Sequence, residues 1–110
     1  MAEVDEERQV CDAAVTLAFS VLGKRWNGMI VSTLGGGSST FVALRRAVAG
    51  ISDTVLSDRL AELADAGLVA RTVDAGPPIT VSYALTASGC GLLPILDQLG
   101  QWASANLATP

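Results

Sequence analysis

The chain has 110 residues, half of them apolar, which is enough for a single buried core. Its formal charge is -4 and it has no histidine, which excludes a uniformly basic nucleic-acid coat and any histidine base or metal ligand. No run reaches the ~18 uninterrupted apolar residues of a membrane span, and the acidic start lacks a signal peptide's basic region, so a cytoplasmic protein with reduced cysteines and no membrane partner is expected.

Charge is unevenly spread. Residues 1–12 set Glu3, Asp5, Glu6, Glu7 and Asp12 against Arg8. Residues 13–71 set Lys24, Arg25, Arg45, Arg46, Arg59 and Arg71 against Asp53, Asp58, Glu62 and Asp65, while only Asp74 and Asp97 are charged beyond them. Acid therefore collects at one end and base in the centre, which suits an electrostatically focused surface.

Residues 1–10 read as a mobile acidic arm, with order expected from Cys11. From Asp12 to Leu22 apolar residues wrap most of a helix, more than its own core can use, so part of it is expected to face a partner. Gly23 breaks that pattern. Lys24 and Arg25 then open a second helix carrying Trp26, Met29, Ile30 and Leu34, which stops at Gly35-Gly36-Gly37. Ser38, Ser39 and Thr40 are candidate caps for a short helix with Phe41, Leu44 and Val48 inward and Arg45 and Arg46 outward. After Gly50, Ser52 caps the next helix, whose Val55, Leu56, Leu60 and Leu63 recur at helical spacing until Gly67. Two helices joined by a glycine-containing turn predict a helix-turn-helix. Leu68 to Val73 and Ile79 to Leu85 then read as two strands around a turn-rich tip, Asp74 to Pro78. A last helix starts at Thr86 and carries Leu92, Leu93, Ile95, Leu96, Leu99 and Trp102, with Pro94 kinking it, restarting it or lying in its first turn. The expected fold is mainly α with a small β-hairpin wing, a single winged helix-turn-helix domain over residues 11–110.

Reactive groups are sparse. There is no metal-ligand spacing, no cofactor-binding loop and no phosphate cradle, since Gly35-Gly36-Gly37-Ser38-Ser39 lacks the Gly-Lys-Ser/Thr that would have to follow; it reads as a turn, and no enzyme and no cofactor are expected. The helix from Ser52 to Ala66 instead presents Ser52, Asp53, Thr54, Ser57, Asp58 and Arg59, short polar groups and one guanidinium able to meet base edges in a major groove. An ordinary solvated helix has a similar surface. Asp53 and Asp58 repel phosphate unless they accept from cytosine or orient Arg59. Arg45 and Arg46, with Lys24 and Arg25, are candidate phosphate contacts. The wing tip has no basic residue, which leaves backbone amides, Thr80 and Arg71 for any wing contact.

These residues, in combination, resemble the HxlR-type transcriptional regulators, winged-helix proteins of the MarR-like kind. The resemblance is carried by Cys11, Val21-Leu22-Gly23-Lys24-Arg25-Trp26, Phe41-Val42-Ala43-Leu44-Arg45-Arg46, Gly50 to Leu60, Leu63, Gly67-Leu68-Val69-Ala70-Arg71, Val81 to Thr86, Gly89, Leu93-Pro94 and Trp102. It implies a homodimer joined by the N- and C-terminal helices, with two recognition helices on a palindromic double-stranded DNA operator. It also implies a repressor, and a cysteine matching Cys11 that responds to oxidants or electrophiles. A helix N-terminus at Cys11 favours thiolate, whereas Asp12 and the acidic arm favour the neutral thiol, so a sensor and a passive small hydrophobe both fit. Cys90 reads as core or interface, with a disulfide to the other subunit's Cys11 as an alternative. A further reading places a small-molecule effector pocket at the dimer interface, lined by Phe19, Trp26 and Trp102, against simple core packing of those aromatics. The competing function is a winged-helix protein-interaction or ligand-binding module without specific DNA binding.

Overall fold

The computed structural model describes the backbone of residues 2–108 and the side chains of residues 12–108. The chain runs α1 (Ala2–Leu22), α2 (Asn27–Leu34), β1 (Ser39–Thr40), α3 (Phe41–Ala47), α4 (Asp53–Asp65), β2 (Val69–Asp74), β3 (Thr80–Leu85), α5 (Ala87–Gly91) and α6 (Leu93–Asn106). Helices dominate, and the strands form one antiparallel sheet in the order β1-β3-β2. The hairpin pairs Val69 with Leu85 and Asp74 with Thr80 at its two ends, while Ser39 pairs with Tyr83.

The core is the meeting place of α2, α3, α4 and the sheet. Ile30, Val31 and Leu34 enter it from α2, Leu44 and Val48 from α3 and its end, Val69 and Tyr83 from the strands. Leu56, Leu60 and Leu63 follow i, i+4, i+7 spacing, so one stripe of α4 is buried and the opposite side is left to solvent. Each of three helices starts on a hydroxyl cap. Thr40, Ser52 and Thr86 accept from the amides of Ala43, Val55 and Gly89 at 3.2, 3.2 and 3.1 Å. Such a cap stabilises a helix by about 1 kcal/mol.

Four boundaries differ from the sequence expectation. Helix α1 begins at Ala2, so helix covers residues assigned to an arm ahead of Cys11; Ala, Glu, Arg and Gln are good helix formers, and acids near an N-terminus complement the helix dipole. Lys24 and Arg25 lie in the turn before α2, because Trp26 adopts a left-handed conformation (φ 83°) that the helix cannot include. Ser39 and Thr40 form a short strand, and of the three candidates Thr40 is the cap. The single C-terminal helix is two, broken at Leu92, with Pro94 in the first turn of α6, where its missing N–H costs no helical hydrogen bond.

The radius of gyration is 16.6 Å, against about 13 Å for a compact chain of this length. Helix α1 accounts for the excess: its described residues are exposed from Asp12 to Ser20, and only Val21 and Leu22 tuck in.

Candidate nucleic-acid interface

Helix α4 is oriented by its buried leucines, and the opposite stripe is Thr54, Ser57, Asp58 and Ala61, all exposed, at i, i+3, i+4 and i+7. Among the described residues, none of these polar side chains has a hydrogen-bond partner within the chain. Ser52 stands just before them, its hydroxyl oxygen accepting at the cap.

The other predicted contacts divide into groups. Arg45 in the last turn of α3 reaches Asp53 in the first turn of α4, Nη1 donating to Oδ1 at 2.9 Å and Oδ2 at 3.2 Å. That pair neutralises the acid at the head of α4, and it also engages Arg45. Arg46 is exposed and has no ion pair among the described residues.

Arg59 does not stand outward as expected. Its side chain is only 25% exposed and its Nη1 donates to Glu62 Oε1 at 2.8 Å, one turn along α4. The same carboxylate oxygen accepts from Lys24 Nζ at 2.9 Å. The acid that orients Arg59 is therefore Glu62 and neither Asp53 nor Asp58. Lys24, with help from Arg59, holds the Glu62 carboxyl below its ordinary pKa against the opposing pull of partial desolvation. The spacing of Arg59 and Glu62 could have been read as an i, i+3 pair; Lys24, 38 residues away, could not.

In the wing, side chains alternate between faces, so Arg71, paired with Tyr83, and Thr80, paired with Asp74, project from opposite sides of the ribbon. Both are exposed, but they do not form one surface. At the tip, Asp74 Oδ1 accepts from the Gly76 amide at 3.1 Å, closing a local turn.

The three aromatic candidates are also separated. Trp26 packs against the core beneath the Arg25 guanidinium, 4.4 Å from its ring centroid, and its edge lies beside Gly50 in the turn before α4. Phe19 and Trp102 are more than half exposed on α1 and α6. Among the described residues, the grooves along these helices are lined by residues such as Leu17 and Val21 on α1 and Leu96, Leu99 and Gly100 on α6, and not by Phe19, Trp26 or Trp102. Trp26 thus follows the core reading. The Cys11 backbone lies midway along α1, which begins at Ala2, so no helix N-terminus stands at Cys11 to favour its thiolate, and its side chain lies outside the described residues; Cys90 is exposed on α5 and takes no part in this chain's core. Among the described residues no cluster of three potential metal ligands occurs, and no helix is long and apolar enough to cross a membrane.

A model of the HxlR-like helix-turn-helix family matches residues 21–109, from the end of α1 past α6. The chain belongs to the HxlR-like helix-turn-helix family. It is a transcriptional regulator of the helix-turn-helix type. YvaP of Bacillus subtilis, a transcriptional regulator of that type, is 40% identical over 87 residues, 79% of this chain and 81% of YvaP. The regulator YodB of the same organism is 38% identical over 86 residues, 78% of this chain and 77% of YodB. The structure of reduced YodB superposes with a TM-score of 0.78, covering 84% of this chain and 90% of that one at 36% identity. The redox regulator HypR in its oxidised form gives 0.79, covering 87% and 99% at 31% identity. Within this HxlR-like chain, α3 and α4 are the two helices of the motif, and the β2–β3 hairpin is its wing.

Proposed function

We propose that the chain is a homodimeric, sequence-specific DNA-binding regulator, a single winged helix-turn-helix domain in which α4 reads the major groove. The observation that carries this reading is the unpartnered stripe on α4. Thr54 and Ser57 can donate to or accept from base edges, Asp58 can accept from a cytosine amino group, and the Ala61 methyl can meet a thymine methyl. Ser52, the backbone amides at the head of α4 and the exposed Arg46 are the phosphate contacts we assign. Apolar residues left exposed on α1 and α6 support dimerisation through those helices. A two-fold pair of readers requires a palindromic operator with half-sites about 34–36 Å apart, or a multiple of it. Occupation of a promoter by such a dimer blocks polymerase, so repression is the regulatory mode we assign.

The test is selection of binding sites from random duplex DNA, followed by salt-titrated anisotropy on the selected site and in vitro transcription from a promoter containing it. A palindromic consensus, affinity that falls steeply with salt and reduced transcript are expected. Failure to enrich any sequence would overturn the reading in favour of a protein-interaction module.

A second reading concerns the signal. Solved relatives include YodB in diamide-treated and quinone-bound forms and HypR in its oxidised form, which supports a response to thiol-reactive compounds; the residue we assign to it is Cys11, which the family resemblance implies. Diamide or quinone is expected to release operator from the native chain and not from Cys11→Ser. Equal release from both would remove Cys11 from the response.

A further inference from the structure

The α1–α2 elbow, residues 23–26, touches the reading helix at one place and the turn that leads into it at another. Lys24 Nζ reaches Glu62 in the third turn of α4 at 2.9 Å, and the Trp26 ring lies against Gly50 in the turn that leads into α4, where an added Cβ would stand 3.5 Å from the ring. The elbow itself is fastened to α1. The Asn27 side chain, fully buried, donates from Nδ2 to the Val21 carbonyl at 2.7 Å, and the Gly23 amide donates to Phe19 O at 2.9 Å. Direct packing of α1 on α4 is slight by comparison, since α1 is exposed over most of its described length.

We propose that this elbow is a two-point clamp that fixes the angle of α4 to α1, with Lys24 and Glu62 as positioning residues that set which half-site separation the protein reads. The inference rests on the dimeric DNA-reading assignment made above. If α1 joins the protomers, the placement of each reader relative to the two-fold axis is decided by how rigidly α4 is held to α1. The Trp26 contact is apolar and non-directional. The Lys24–Glu62–Arg59 bridge is directional, and it holds the C-terminal part of α4 while the Trp26 contact holds the turn at its head, so the two together resist rotation of the stripe that lies between them. Glu62 serves both cations through one oxygen, so removing its charge releases the elbow and Arg59 together.

Two measurements test this, one without DNA. Spin labels are placed at Thr16→Cys on α1 and Ser57→Cys on α4 in a Cys11→Ser, Cys90→Ser background, with labelled chains diluted into unlabelled protein. The α1–α4 distance distribution is expected to broaden in Lys24→Met and Glu62→Gln and to stay narrow in Lys24→Arg. In parallel, the unlabelled native chain and the same three variants are titrated with selected operators whose half-sites are moved apart or together. Lys24→Met and Glu62→Gln are expected to flatten the preference for the native separation by about two- to fivefold, the range for a bridge at this exposure, and Lys24→Arg to restore it. Unchanged distance distributions, or affinity losses equal at every separation, would overturn the clamp. If the native chain prefers no separation, the dimeric reading fails instead, and the label distances still decide whether the elbow holds α4.

Discussion

Arg45 and Asp53 face each other across the turn of the helix-turn-helix, Nη1 of the arginine within 3.2 Å of both carboxylate oxygens. The contact joins the last turn of α3 to the first turn of α4, so it places a negative and a positive group where each favours its helix dipole. It also occupies a cation that would otherwise be free for phosphate. Asp53→Asn is expected to cost about 0.3–1 kcal/mol of stability through loss of the dipole contact. In DNA binding it is expected to steepen the log K against log salt plot by about 0.9, as one more cation becomes available. Salt-titrated anisotropy measures the slope, and an unchanged slope would mean that Arg45 stays off the phosphates.

Glu62 gives the chain a defined acid sensitivity. Its folded-state pKa lies below the ordinary 4.5 chiefly because Lys24 donates to its charged form, with Arg59 adding to the effect. A lowered carboxylate pKa stabilises the fold above the unfolded value, and that contribution is lost as pH falls through the folded value. The stability difference between the native chain and Glu62→Gln is therefore expected to stay constant from neutral pH to about 5 and to shrink below 4.5. Urea unfolding followed by circular dichroism at a series of pH values tests this, and a difference that grows in acid would contradict it.

Gly89 and Gly91 sit two residues apart in α5 and should respond oppositely to alanine. A Cβ on Gly89 would stand 2.1 Å from the Leu68 carbonyl oxygen, a backbone atom that cannot swing aside, whereas one on Gly91 meets nothing within 4 Å. The tightness at Gly89 follows from Thr86, whose hydroxyl donates to Gly67 O at 2.6 Å and whose amide donates to Leu68 O at 3.0 Å, drawing α5 against the turn between α4 and the wing. Gly89→Ala is expected to destabilise by about 1–3 kcal/mol. Gly91→Ala is expected to stabilise by up to about 0.5–1 kcal/mol, both read from urea midpoints. Equal effects would show that α5 packs less closely on Leu68.

Local signals placed the elements, and long-range contacts decided what sequence reading left open. Ser52, the leucines at 56, 60 and 63, and Gly67 specify α4 from within its own span, and alternation from Val69 to Val73 and from Val81 to Leu85 does the same for the wing. Strand β1 is only two residues long and exists because Tyr83 and Ser82 are there to pair with, which no local pattern reveals. Arg59 has the residue type and position of a DNA contact, and only the fold shows that Glu62 and Lys24 engage it first. The exposed stripe was legible in Thr54, Ser57 and Asp58; Ala61 was missed because a small apolar residue on a helix gives no polar signal.

Helix α6 carries two apolar faces, and one chain uses only one of them. Leu93 and Leu96 pack on the core, while Ile95, Leu99 and Trp102, at i, i+4 and i+7, stay about half exposed. Val15, Leu17 and Phe19 are in the same state on α1, Leu17 at 72% exposure. Burial of a leucine is worth about 1.5–3 kcal/mol, and a two-fold interface counts each substitution twice. Leu99→Glu is therefore expected to raise the dimer dissociation constant at least about a hundredfold, as read by sedimentation equilibrium. Because folding and association are linked, the melting temperature of the native chain is expected to rise with protein concentration and that of Leu99→Glu to be independent of it. Operator affinity should fall with dimerisation while the α4 stripe remains intact. A native chain that sediments as a monomer, or a Leu99→Glu chain that remains dimeric, would move the interface off this face of α6.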